Sequence, residues 1–125
     1  MEWKTEIKAA SARVTPHVIR TPVMECDGFG LGHTVEFKLE HMQHTGSFKA
    51  RGAFNTLLSS DVPDAGLVAA SGGNHGAAVA YAGARLGHRA RIYVPELAGP
   101  AKINLIKSLG ADLQVVTGEY SNALE

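Results

Sequence analysis

The sequence predicts an α/β fold built on a doubly wound parallel sheet. Two observations carry that expectation. From Leu67 onward, apolar strand-like runs alternate with helical patterns in the order strand, helix, strand, helix, strand. The joints between them are short and marked by Gly87, Pro95 and Gly110. Such alternation gives parallel strands joined by right-handed crossovers, with ligands at the carboxyl ends of the strands.

Taken in order, Trp3 to Val14 has helical composition, with Ile7, Ala10 and Val14 recurring on one face. Pro16 stops it. Arg20-Thr21-Pro22-Val23 reads as extended, because a residue before proline avoids the helical region. Gly28, Gly30 and Gly32 mark a turn and do not complete a G-x-G-x-x-G fingerprint. Val35, Phe37 and Leu39 alternate with Glu36, Lys38 and Glu40, the pattern of a half-buried strand. A helix begins near Ser47 and runs toward Leu58, and Asp61 to Gly66 is a linker by composition. Leu67–Ala70 is a strand. Asn74–Leu86 is an alanine-rich helix closed by Gly87. Ala90–Val94 is a strand stopped by Pro95. Pro100–Leu109 carries Ile103, Ile106 and Leu109 at helical spacing. Asp112–Thr117 is a strand, and a further helix is expected from Glu119 onward. The early helix and strand have no partners within a three-strand unit. The expected division is therefore 1–62, part of one domain, and 63–125, a second α/β domain cut short, with the chain the N-terminal part of a longer protein.

Composition narrows the function. Lys+Arg and Asp+Glu are each 12 in 125 residues, which argues against nucleic acid or an anionic membrane as the main partner. No apolar run approaches the ~20 residues of a membrane span, and Met1-Glu2-Trp3-Lys4 lacks a signal-peptide pattern, so the cytoplasm is the default. Cys26 is the only cysteine, which rules out an internal disulfide; its ordinary role is a small, buried or half-buried apolar side chain.

Two strings carry chemistry. In Thr45-Gly46-Ser47-Phe48-Lys49-Ala50-Arg51-Gly52, Ser47 is a candidate helix cap and puts Lys49 in the first turn. A cation there opposes the helix dipole, and burial or that dipole would disfavour its charge. The placement suits an amine that forms an imine, against the plain alternative of a surface lysine. In Ser71-Gly72-Gly73-Asn74-His75-Gly76, small residues let backbone N–H groups converge at a helix start, a cradle for a carboxylate or phosphate. The plain alternative is a tight turn with Asn74 as cap and His75 facing solvent. His41 and His44 lack a carboxylate or cysteine to complete a metal set, so no metal is expected. Arg51 reads as an ion-pair residue. Arg85, Arg89 and Arg91 read as a solvated basic face.

The ordered pair of strings resembles the fold-type II pyridoxal-phosphate enzymes, and within them the serine/threonine dehydratase branch that includes threonine deaminase and serine racemase. The segments around Arg20-Thr21-Pro22, Glu36–Glu40 and Ala98–Gly110 are similar too, so the resemblance covers most of the chain. Asn74-His75-Gly76 and the Ala-Arg after Lys49 separate it from cysteine synthases and threonine synthases. The resemblance implies pyridoxal 5'-phosphate held by Lys49 as a Schiff base, with Phe48 near the pyridine ring and Asn74 bonded to the ring hydroxyl. It implies Ser71, Gly72, Asn74 and His75 around the substrate carboxylate. Lys49 would remove the Cα proton of L-serine or L-threonine, the β-hydroxyl would leave, and a 2-oxo acid and ammonia would result. Serine racemases usually carry a serine where this chain has Gly72, which favours elimination over racemisation. The family's tetraglycine loop for the cofactor phosphate has no counterpart here, so the chain is expected to be inactive alone and to self-associate or pair with the C-terminal portion. The other reading is a non-catalytic α/β module, kept for carboxylate binding or interaction.

Overall fold

A 3₁₀ turn over Thr15–His17 ends the first helix, α1 (Trp3–Val14), because the Pro16 ring removes a backbone donor. The computed structural model describes residues 2–118 and 121. The apolar face expected on α1 is covered only at its C-terminal end. Val14 is buried and Ala10 half-buried, whereas Ile7 is 64% exposed.

Residues 23–38 form an antiparallel hairpin of β1 (Val23–Asp27) and β2 (Thr34–Lys38), with Val23 opposite Lys38 and Glu25 opposite Glu36. Only β2 was expected from the sequence. β1 alternates Met24 and Cys26 with Glu25 and Asp27, without the β-branched residues that mark strands most clearly beyond Val23. The half-buried face expected of β2 is mostly open. Val35 is half-buried, Phe37 is exposed and stands edge-on to Phe29, and Leu39 lies past the strand's end.

After two 3₁₀ turns, Glu40–Met42 and His44–Gly46, α2 (Lys49–Leu58) begins. The parallel unit follows as β3 (Leu67–Ala70), α3 (Asn74–Leu86), β4 (Ala90–Pro95), α4 (Pro100–Ser108) and β5 (Asp112–Val116). Its strands run parallel in the order β3-β4-β5, with Ala69 beside Ile92 and Ile92 beside Leu113. This is the mixed α/β architecture with a parallel sheet that the alternation predicts. Gly87 closes α3 in the left-handed conformation. The helix expected from Glu119 onward lies outside the described residues, apart from Ser121.

Two apolar clusters meet at α3. Ala77 and Ala80 face Ile92 and Val94 of β4 and Ile106 of α4, so both crossover helices lie on that face of the sheet. Ala78 and Ala82 face Phe54 of α2 and Val14 of α1. The alanines explain the arrangement. A helix squeezed between a sheet and another helix needs short side chains on both sides, and an all-round small, apolar helix supplies them. The second cluster joins residues on both sides of the expected division at 62 and 63.

Candidate functional site

The lysine helix starts from a tightly tied base. Gln43 is buried, and its side chain accepts from the N–H groups of Ile19 (2.9 Å) and His44 (3.1 Å) while donating to Ile19 O (2.8 Å). Thr45 and Gly46 then both adopt positive φ, 63° and 76°, which turns the chain sharply into Ser47. Two residues after Lys49, Arg51 donates to both carboxylate oxygens of Glu40 at 2.7 Å and to Ile19 O at 3.1 Å. The Thr21 hydroxyl donates to Glu40 as well, and Lys38 Nζ donates to Thr21 O. The Arg51 hydrogen bond, helped by Thr21 and against the effect of burial, holds the Glu40 carboxyl well below its ordinary range, at about 2. Arg51 is thus the ion-pair residue the sequence predicts. Glu40 reads from the sequence as a strand residue and Gln43 carries no signal, because nothing in the sequence marks the segment 19–21 as their partner.

Ser47 is extended, and its hydroxyl accepts from the Lys49 N–H at 3.4 Å. The regular helix begins at Lys49, with Phe48 rather than Ser47 in the capping position, one residue later than expected. The Lys49 side chain is exposed, so the described residues do not supply the burial considered above. Its Nζ stands 5.3 Å from the centre of the Phe48 ring. A cleft of about 350 Å³ brings Phe48, Lys49 and Gly52 of the lysine segment together with His75 and Val79 of α3.

The glycine loop closes β3 onto α3. Ser71 is buried, donates its N–H to Tyr93 O at 2.9 Å, and accepts from the Gly73 N–H through Oγ at 3.3 Å. Ala77 N–H is the first of α3 to reach back, to Gly73 O at 3.2 Å. The N–H groups of Asn74, His75 and Gly76 therefore precede the helical ladder, as at any helix start. Gly76 lies so near Ser71 O that a Cβ there would stand 2.5 Å from it. The capping alternative for Asn74 is not what forms. Gly73 is the cap, Asn74 is the first helical residue, and its Oδ1 accepts from Lys102 Nζ at 3.0 Å. The structure thus joins Lys49, Phe48 and His75 in one cleft. Ser71, Gly72 and Asn74 lie beside it along the loop and do not line it.

The remaining candidates lie outside that cleft, and His41 is exposed. His44 stacks on Tyr81 with ring centres 4.8 Å apart, and Arg91 pairs with Asp112 at 2.6 Å. Cys26 is half-buried. Among the described residues no three His, Cys, Asp or Glu side chains gather as a metal set, and no helix is long and apolar enough to cross a membrane.

The donor set suits an anionic aldehyde. Lys49 offers a primary amine that is exposed and in no ion pair among the described residues, beside a helix start whose N–H groups favour negative charge. A parallel α/β unit with a glycine loop at a strand's carboxyl end, faced by a lysine-bearing helix, is the arrangement of the fold-type II pyridoxal-phosphate enzymes. The chain belongs to the family described as "Pyridoxal-phosphate dependent enzyme", which it matches over residues 14–125, and pyridoxal 5'-phosphate is that family's cofactor. It is 40% identical over 121 residues to a "Putative threonine dehydratase" of Sinorhizobium fredii, covering 94% of this chain and 36% of that protein. Its fold superimposes on a threonine deaminase from T.th. with a TM-score of 0.84 at 37% identity, covering 96% of this chain and 39% of that one. Maize serine racemase gives 0.86 at 34% identity, over 96% and 38%. The chain spans about a third of the length of the curated relatives it matches.

Proposed function

We propose that the chain contributes the lysine and carboxylate-loop part of a pyridoxal-phosphate-dependent lyase. Its reaction is β-elimination from L-serine or L-threonine, giving a 2-oxo acid and ammonia. The observation that supports this most directly is the shared cleft of Lys49, Phe48 and His75. When bound, pyridoxal phosphate supplies an electron sink beside the substrate Cα. The chain's own residues do the rest. Lys49 Nζ would hold the cofactor and, when free, would serve as the base for the Cα proton, a role worth about 10²–10⁴-fold when the base is well placed. Phe48 would flank the ring, and Asn74 would donate to the ring oxygen. Ser71, Gly72, Asn74 and His75 orient the substrate carboxylate at the start of α3, where the dipole favours it. The β-hydroxyl departs as water, and one water returns on hydrolysis, so L-serine balances as pyruvate plus ammonia.

A cytoplasmic location fits this reading, as does a partner that completes the site, either a second copy or a further portion of the polypeptide. The test is direct. Pyridoxal phosphate is added, the absorbance of the lysine-bound form is followed, and the adduct is reduced with borohydride and mapped. A single label at Lys49, lost in Lys49→Ala, is expected. Label spread over surface lysines and unchanged by that substitution overturns the assignment. Co-expression with a family C-terminal portion, assayed for 2-oxo acid from L-serine and L-threonine, then tests the reaction. A folded complex without activity favours the non-catalytic module.

A further inference from the structure

Lys102 occupies the third position of α4, in a first turn that holds no acidic residue. A cation there opposes the helix dipole, and among the described residues Lys102 makes no ion pair. What it does make is a bond across to the neighbouring helix start. Its Nζ donates to Asn74 Oδ1 at 3.0 Å. Two apolar contacts press the same segment onto the loop. Ala98, just before α4, abuts Gly72, and Ile106 Cδ1 lies 3.2 Å from where a Gly76 Cβ would stand.

The chemistry of the pair is one-sided. An ammonium only donates, whereas an amide has an accepting oxygen at one end and two N–H donors at the other. With Oδ1 taken by Lys102, Nδ2 is the end left to donate elsewhere. The flipped amide would set donors against donors and lose the bond. A lysine at this point therefore decides which end of Asn74 is presented to a ligand, and it adds positive charge beside the loop.

We propose that Lys102 is a positioning residue for the cofactor site: it holds Asn74 by Oδ1, so that Nδ2 is kept free to donate to the ring oxygen of pyridoxal phosphate. This rests on the function proposed above, and the test separates the two. The cofactor-free chain comes first. The Asn74 side-chain N–H₂ signals in a ¹H–¹⁵N spectrum are assigned with Asn74→Ala, then compared in Lys102→Met and Lys102→Arg. The proposal expects them to move in Lys102→Met and to stay near the parent positions in Lys102→Arg, with all three proteins melting alike. Signals unmoved in Lys102→Met overturn it. Pyridoxal phosphate is then titrated, with the visible band of the bound form as readout. Lys102→Met is expected to take it up about three- to tenfold more weakly and with a shifted band, the scale of one hydrogen bond misplaced. Lys102→Arg stays within about twofold of the parent. Unchanged uptake and band in Lys102→Met, in a chain that binds the cofactor, also overturn the proposal. If the parent takes up none, the proposed function fails for the chain alone, and the Asn74 signals decide the positioning claim by themselves.

Discussion

Gly72 and Ala98 touch so closely that a Cβ at Gly72 would stand 2.5 Å from the Ala98 Cβ, and 3.2 Å from the Pro95 ring. The loop at the end of β3 has no room for a side chain at this position while the turn after β4 stays in place. Gly72→Ser is therefore expected to destabilise the fold by about 1–3 kcal/mol, the range for overpacking. Ala98→Gly in the same chain should recover part of that loss. Urea unfolding of the two single variants and the double variant measures the coupling, and simple additivity contradicts the contact. Any side chain installed at Gly72 needs Ala98 trimmed as well.

Glu40 ties stability to pH. Its folded value of about 2 lies below the ordinary 4.5. Between those values the unfolded chain takes up a proton that the folded chain refuses. Stability that is full above about pH 4.5 thus falls as pH drops toward about 2. With Arg51 one-third exposed, solvent screening trims the contribution to roughly 2–3 kcal/mol. Urea midpoints measured from about pH 6 to about pH 3 should show the decline, and Glu40→Gln should flatten it.

Gln43→Ala should cost about 1–3 kcal/mol, since it strands the Ile19 N–H and leaves Ile19 O to Arg51 alone. Hydrogen exchange supplies a local readout. The Ile19 amide is expected to lose protection in the variant, and an Ile19 amide that exchanges as in the parent argues against the bridge.

Phe54 is fully buried and sits in a run of four rings, stacked on His17 at 5.2 Å and edge-on to Tyr81 at 6.0 Å, with Tyr81 stacked on His44. Phe54→Ala is expected to destabilise by about 3–5 kcal/mol and to quench the near-ultraviolet dichroism of Tyr81. Phe54→Leu should lose less stability and most of the same signal.

The second half of the chain was legible because each of its elements announces itself locally. Leu67–Ala70 is a short apolar run, Ala90–Val94 ends in the strand-favouring Ile92, Tyr93 and Val94, Gly87 closes α3, and Pro100 opens α4. Lys49 and the Ser71–Gly76 loop were legible as strings for the same reason. The first half depends on distant partners. Whether Ile7 and Phe37 are covered, and what Gln43 and Glu40 hold, is settled by residues far along the chain or across the hairpin. Asn74 shows the limit at the site itself. Its position at a helix start reads as a cap, and only the packing of α4 beside it reveals Lys102 as the group that takes its oxygen.

The strand order β3-β4-β5 has a consequence for how the protein assembles. Each strand docks beside the one made just before it, so every closure spans a single helix and its two short joints. Loop-closure entropy grows only slowly with length, so no step closes more than one crossover, although pairing parallel strands across a helix is slower than closing a hairpin. Growth is then directional. The β3-α3-β4 unit, with Ile92 already against Ala77 and Ala80, offers a finished edge on which α4 and β5 condense. Pulse-labelled amides of Arg91 and Tyr93, which face β3, would be shielded earlier than those of Asp112 and Gln114, which face β4, a sequence of events that also suits a ribosome releasing the chain from its amino end.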